Sequence, residues 1–381
     1  MKTIQPIQMV DLKGQYQRLK EEIDAGIAGV IESAAFVRGK VVSEFETAFA
    51  EYLNVRHVIS TANGTEAIQT ALMALDLQAG DEVITPSFTF VSTAEVVALL
   101  GLKPVLVDVD ADTFCIDPES IRRAITPRTR AIVPVHLFGQ HADMEQILDI
   151  AQAYHLYVIE DACQSIGSTY TYRQKQYQSG TVGHIGCTSF FPTKNLGCYG
   201  DGGAVYTNDA RLAERMRSIA NHGMAQRYHY ERIGINSRLD SMQAAVLKAK
   251  LPELADFIAR RQAAAALYDE LLADIPTIRR PRINPDSTHA YHQYTIRVLN
   301  TDRDRMRDAL ADHGIPSMVY YPVPLHMQQA YQKIGASLHP CPTSELLSQQ
   351  VLSLPMHTEL SKDQIEYIAA TIRQYCRQHG G

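Results

Sequence analysis

Short β-branched runs alternate with helix-periodic stretches between about residues 57 and 165. HVIST (57–61) reads as a strand, and GTEAIQTALMALDL (64–77), with apolar residues at helical spacing, reads as a helix. DEVITP (81–86) is a second strand, followed by a helix over 91–100. PVLVDVD (104–110), a helix opening near Pro118 and the strand AIVPVHL (131–137) come next. Residues 143–155 have helical periodicity, and LYVIED (156–161) closes the series as a strand. Such alternation predicts an α/β fold, a mostly parallel sheet with helices on both faces. Ligands bind such sheets beyond the carboxyl ends of the strands, which singles out residues 63–65, 86–90 and 161–164.

Farther along, IGCTSFF (185–191) and GAVYTN (203–208) are shorter strands flanking a Gly-rich turn. Residues 239–275 are Ala- and Leu-rich and predict one or two linking helices. Beyond them HQYTIRVL (292–299) reads as a strand, 303–313 as a helix, PSMVYYPVP (316–324) as a strand and 362–379 as a helix. The pattern predicts a large domain over 1–250, N-terminal arm included, and a smaller C-terminal α/β domain over 251–381.

Composition narrows the class. The 381 residues are 45% apolar and 20% charged, with a formal net charge of −6 and both signs interspersed. That is globular composition with no basic footprint for nucleic acid or an anionic membrane. No apolar run approaches the roughly 20 residues of a membrane span, and residues 1–13 lack the basic-then-apolar pattern of a signal peptide. The six cysteines, at 115, 163, 187, 198, 341 and 376, show neither a CxxC pair nor a framework. Reduced thiols in a cytoplasmic protein are expected, with no metal site.

Lys194 lies in SFFPTKNLGCYGDGGAVYTN, between two apolar strands and ahead of Gly197, Gly200, Gly202 and Gly203. A lysine held there has its pKa lowered by burial and becomes a nucleophile towards carbonyls; the alternative is a surface lysine in a hairpin turn. Asp161 ends a central strand, where a carboxylate can hold a pyridinium nitrogen or simply cap a helix. Asn63, Gly64 and Thr65 open a helix directly after a strand, which suits a phosphate as well as plain N-capping. Phe90 can stack on a flat heterocycle or pack in the core. No GxGxxG or GxxxxGK[ST] is present to support a dinucleotide or P-loop site.

The ordered motifs NGT, PSFTF, IEDACQS, SFFPTKNLG, GDGGA and GINSRLD together resemble the DegT/DnrJ/EryC1/StrS aminotransferases, over nearly the whole chain. The resemblance implies the aspartate aminotransferase-like fold (fold type I) and a pyridoxal 5′-phosphate (PLP) cofactor bound to Lys194 as a Schiff base. By the same resemblance Asp161 binds the pyridinium nitrogen and Gln164 lies near the ring hydroxyl. Gly64, Thr65 and Ser189 hold the phosphate, and Phe90 stacks on the ring. Asn236 reaches the phosphate of a neighbouring subunit, which implies a homodimer with shared sites. Dehydratases of the family carry His where this chain has Lys194, so transamination is expected. Cys163 replaces a usual Ala beside Asp161 and is a candidate oxidation sensor; His184 stands where many members have Asp.

Within the family the chain looks most like enzymes that aminate a UDP-linked 3-keto N-acetylglucosaminuronic acid, with glutamate the expected donor and cell-surface polysaccharide (lipopolysaccharide) the expected destination. Arg238 is the candidate for the uronate carboxylate, unless it pairs with Asp240, and Tyr320 and Tyr321 for sugar contacts, unless they only pack. The alternatives are a 4-keto-6-deoxy nucleotide-sugar aminotransferase, a decarboxylase or lyase of the same fold, and a non-catalytic regulator.

Overall fold

The computed structural model describes residues 5–334 and 336–379. Among them, eight strands build the central sheet, in the order His57–Thr61, Gly203–Thr207, Ile185–Ser189, Tyr157–Asp161, Thr129–Ile132, Glu82–Pro86, Lys103–Val107 and Ser337–Leu338. Gly203–Thr207 runs antiparallel to both of its neighbours, and every other pair is parallel. Thr61, Pro86, Asp161 and Ser189 therefore end their strands on one common edge. Glu82–Pro86 and Gly203–Thr207 are buried at every position, because helices cover both faces. That coverage is why these strands read as continuous apolar runs rather than alternating ones.

The predicted helices form, with shorter ends. Gly64–Ala74 starts where the Asn63 side chain accepts from the Glu66 N–H at 2.8 Å, and it packs against Ile185–Ser189. The chain before residue 57, to which the sequence pattern assigned no element, contributes the helices Leu12–Arg18, Lys20–Ser33 and Lys40–Leu53. The last of these buries Val42, Phe45, Phe49 and Leu53 at helical spacing, against Phe190 of the Lys194 segment.

The stretch 239–275 is two helices, Ser241–Lys250 and Leu254–Leu271, separated at Pro252, which supplies no amide hydrogen to the ladder. Leu254–Leu271 joins two cores. Leu254, Phe257 and Ile258 pack with Phe45 and Phe190, whereas Ala264, Ala265 and Tyr268 pack on the antiparallel sheet Ile278–Arg279, Tyr294–Val298 and Val351–Leu354. The helices Arg303–Asp312 and Lys362–His379 complete the second core.

Residues 316–324 are not the strand expected from their Tyr and Val content. Only Met318 forms a bridge, to Ser353. Pro316, Pro322 and Pro324 lack N–H groups and cannot support a ladder. The segment instead swings back to the large sheet, where the Leu325 N–H donates to the Ser87 carbonyl at 2.8 Å. Tyr320 and Tyr321 are thereby carried to the edge where the parallel strands end.

Beneath the Lys194 loop lies a second lysine, fully buried Lys250. Its Nζ donates to the Gly197 carbonyl at 2.8 Å and sits 4.4 Å from the centre of the Tyr199 ring. Burial pushes its pKa down to about 8, from 10.5 when unfolded. Between these values the unfolded chain binds more protons than the folded one, so the Lys250 contribution to stability improves as pH rises. The stability advantage of wild type over Lys250→Met is expected to grow by at most about 3 kcal/mol between about pH 7.5 and 10.5, measured from urea midpoints.

Candidate active site

Asp161 ends the strand Tyr157–Asp161 and is only 4% exposed. Its backbone is held on both sides: its N–H donates to the Pro134 carbonyl at 2.9 Å and its carbonyl accepts from His136 N–H at 3.0 Å. The carboxylate is held as firmly. Oδ2 accepts from the Thr93 hydroxyl at 2.8 Å and Oδ1 from the Cys163 N–H at 3.1 Å. With one donor on each oxygen, the carboxylate is held against rotation and keeps further lone pairs for another donor.

Three residues on, Gln164 is also buried. Its Oε1 accepts from the Phe138 N–H at 2.8 Å, and Nε2 donates to the Tyr321 hydroxyl at 3.2 Å. Phe138 adopts φ 60°, a left-handed conformation uncommon for a bulky residue, and its amide points at Gln164 as a result. The Tyr321 ring lies edge-on to Phe88, with centroids 6.0 Å apart, and Tyr320 tilts against it at 5.9 Å. Burial pushes both tyrosine hydroxyls up, so they serve as neutral donors and acceptors.

Gly64 begins its helix directly against Ser189 and Cys163. A Cβ at Gly64 would lie 2.7 Å from Ser189 Cβ and 2.9 Å from Cys163 Sγ, so only glycine fits there. Gly203 pairs with both Thr61 and Ser189, and a Cβ there would meet the Asn63 carbonyl at 2.5 Å. The NGT, DACQS, SFF and GDGGA motifs, far apart in the chain, thus meet within one contact shell. Thr65 is half-buried at the helix start.

Lys194 is half-buried in the turn that follows Ile185–Ser189, its own N–H bonded to the Phe191 carbonyl at 2.8 Å. Loss of solvent pushes its amine below the ordinary lysine value, opposed by the nearby Cys163 and Asp161. Among the described residues Nζ makes no hydrogen bond, unlike the Lys250 amine below it. Burial, then the charge of Asp161, push the Cys163 thiol well up. A thiol so held is protonated at neutral pH, which argues against an oxidation sensor. The His184 ring accepts from the Val158 N–H at 3.0 Å and so fills a structural post.

Phe90 is 53% exposed and is therefore not a core aromatic. Asn236 and Arg238 lie on the segment that leads into the helix Ser241–Lys250. Asn236 is exposed, while between the two the Ser237 hydroxyl accepts from the Ala62 N–H at 3.1 Å. Arg238 lines a 510 Å³ cavity with Arg38, Glu46, Ser60 and Arg217. Arg217 pairs with Glu46 at 3.5 Å, and among the described residues no ion pair joins Arg238 to Asp240. Arg38 is pushed below the usual arginine value by burial and then by the charge of Arg238, which lines the same cavity.

Sequence reasoning missed Thr93, the Phe138 amide and the Gln164–Tyr321 bond. For Thr93 no sequence signal stood out, because FVSTAEVVALL also carries Ser92 and Glu95.

Residues 17–373 match the DegT/DnrJ/EryC1/StrS aminotransferase family. The chain belongs to this family. It is 47% identical to the UDP-2-acetamido-2-deoxy-3-oxo-D-glucuronate aminotransferase of Pseudomonas aeruginosa, over 96% of this chain and 99% of that protein. It is 45% identical to the UDP-N-acetyl-3-dehydro-alpha-D-glucosamine 3-aminotransferase of Acidithiobacillus ferrooxidans, over 97% of each. Among solved structures, NtdA from Bacillus subtilis, with bound cofactor PMP, superposes with a TM-score of 0.89 at 34% identity, over 98% of this chain and 86% of that one. The fold is that of these aminotransferases, and the chain is an aminotransferase.

Proposed function

We propose that this chain binds PLP on Lys194 and transfers an amino group, from glutamate, to the 3-keto carbon of a UDP-linked N-acetylglucosaminuronic acid. The observation that carries the reading is the Lys194 amine: lowered in pKa, without a hydrogen bond among the described residues, and beside Asp161. Two relatives named for 3-keto UDP-sugars support the substrate class and the position aminated.

The residues present fit the cofactor. The close approach of Gly64 to Ser189 brings the helix start at Gly64 and Thr65 beside the Ser189 hydroxyl, a combination that suits a phosphate. Asp161, braced by Thr93 and Cys163, has lone pairs left for a ring nitrogen. Gln164 stands at the ring-hydroxyl side, and the exposed face of Phe90 is free to stack. Bound there, PLP supplies an electron sink for negative charge at the carbon next to the transferred nitrogen. Lys194 would do the proton work, its free amine taking a proton from the carbon on one side of the transferred nitrogen and delivering it to the carbon on the other side. Its lowered pKa leaves more neutral amine near pH 7, the form that accepts a proton.

Asn236, exposed on this chain, reaches the phosphate of a second copy, so the working unit is a homodimer with shared sites. Arg238, without a partner carboxylate at Asp240, pairs with the uronate, while Tyr320 and Tyr321 border the sugar. Six free cysteines suit the reducing cytoplasm, where the product would feed a cell-surface polysaccharide such as lipopolysaccharide.

The test is to load the protein with amino groups from glutamate and then add UDP- and dTDP-linked 3- and 4-keto sugars. Absorbance of lysine-bound cofactor should return fastest with the UDP-linked 3-keto uronate. Arg238→Ala should raise KM for that uronate roughly tenfold or more while sparing the sugar without the carboxylate. A response confined to 4-keto-6-deoxy sugars would overturn the substrate assignment.

A further inference from the structure

Thr93 is wholly buried in the first turn of the helix Ser92–Leu99. This close to a helix start, no carbonyl of the same helix lies one turn back to receive the hydroxyl. It reaches instead to an acceptor 68 residues away, the Oδ2 of Asp161 at 2.8 Å. Valine would fill the same volume without a buried polar atom, so a hydroxyl here has to be justified by its partner. That partner is itself nearly sealed, and its other oxygen already accepts from the Cys163 N–H.

We propose that Thr93 is a positioning residue that, through its hydrogen bond to Asp161, sets the carboxylate against the cofactor's ring nitrogen. The inference rests on the PLP reading above and goes beyond it. A carboxylate can rotate about its last bond, and the Cys163 N–H alone fixes only one of its oxygens. The Thr93 hydroxyl fixes the second, so the carboxylate is held in one rotational setting. Without it, Oδ2 is buried with no donor, and the carboxylate turns towards whatever donor it can find. Thr93 touches neither substrate nor cofactor in this account; its effect passes entirely through Asp161.

The test uses the full-length chain, with PLP titrated in and followed by absorbance. Thr93→Val should raise the PLP dissociation constant roughly tenfold or more, the usual consequence of losing a hydrogen bond to a charged group. Thr93→Ser, which keeps the hydroxyl, should restore binding to within about threefold. A PLP analogue with carbon in place of the ring nitrogen should bind wild type and Thr93→Val alike, because Asp161 then has no nitrogen to hold. Wild-type PLP affinity in Thr93→Val, or an equal loss for the carbon analogue, overturns the inference alone; the latter indicates a packing defect. A wild-type chain that takes up no PLP overturns both this inference and the reading it rests on.

Discussion

Lys194→Ala is expected to lower turnover roughly 10⁴-fold and to remove the visible absorbance of lysine-bound cofactor. Two losses coincide in this variant: the covalent anchor, and the base that moves the proton. They can be separated. Lys194→Arg keeps a cation of similar reach, but a guanidinium does not deprotonate in a protein, so neither function survives. Alanine with an added small primary amine should recover part of the rate, because the amine takes over the proton transfer without the anchor. The pH dependence carries a sign of its own. Burial lowers the Lys194 value, so activity that needs the neutral amine should rise at a lower pH than free lysine would allow. Single-turnover rates with glutamate as donor read all of this directly; near-wild-type rates in Lys194→Ala would remove the basis for the proposed chemistry.

The parts of the fold that depend on near neighbours were legible in the sequence, and the parts that depend on distant partners were not. The strand ending at Asp161 showed itself as an apolar run closed by a carboxylate, and the helix at Gly64 by its Asn63 cap. The loop carrying Tyr320 and Tyr321 misled because Tyr and Val favour strands, while the prolines that forbid the ladder weigh little in a pattern count. Thr93 was hidden for another reason. A β-branched residue in an apolar helix looks like packing until the fold brings Asp161 to it. The cavity that gathers Arg238 with Arg38, Glu46 and Arg217 is equally invisible to spacing, because its lining comes from separate parts of the chain. Exposed Phe90 shows the converse: its type suggested a core residue, and the fold leaves it at the surface.

Asp161 offers the sharpest separation of geometry from charge, and two substitutions there should differ. Asp161→Ala removes the acceptor for both Thr93 and the Cys163 N–H and leaves two buried donors unpaired. Both cofactor affinity and rate should fall, and the thermal midpoint should fall with them. Asp161→Asn can keep the arrangement: its Oδ1 still accepts from Cys163, and its Nδ2 donates to a Thr93 hydroxyl that rotates to receive it. What asparagine cannot do is keep a positive charge on the ring nitrogen, because it brings no negative one. The asparagine variant should therefore retain most of its thermal stability yet lose roughly 10²–10³-fold in kcat, about 3–4 kcal/mol of transition-state stabilisation. Measuring cofactor dissociation, thermal midpoint and single-turnover rate on the same two proteins distinguishes the cases. A rate in Asp161→Asn within a few-fold of wild type would mean that the carboxylate at this strand end serves only to order Thr93 and the Cys163 turn.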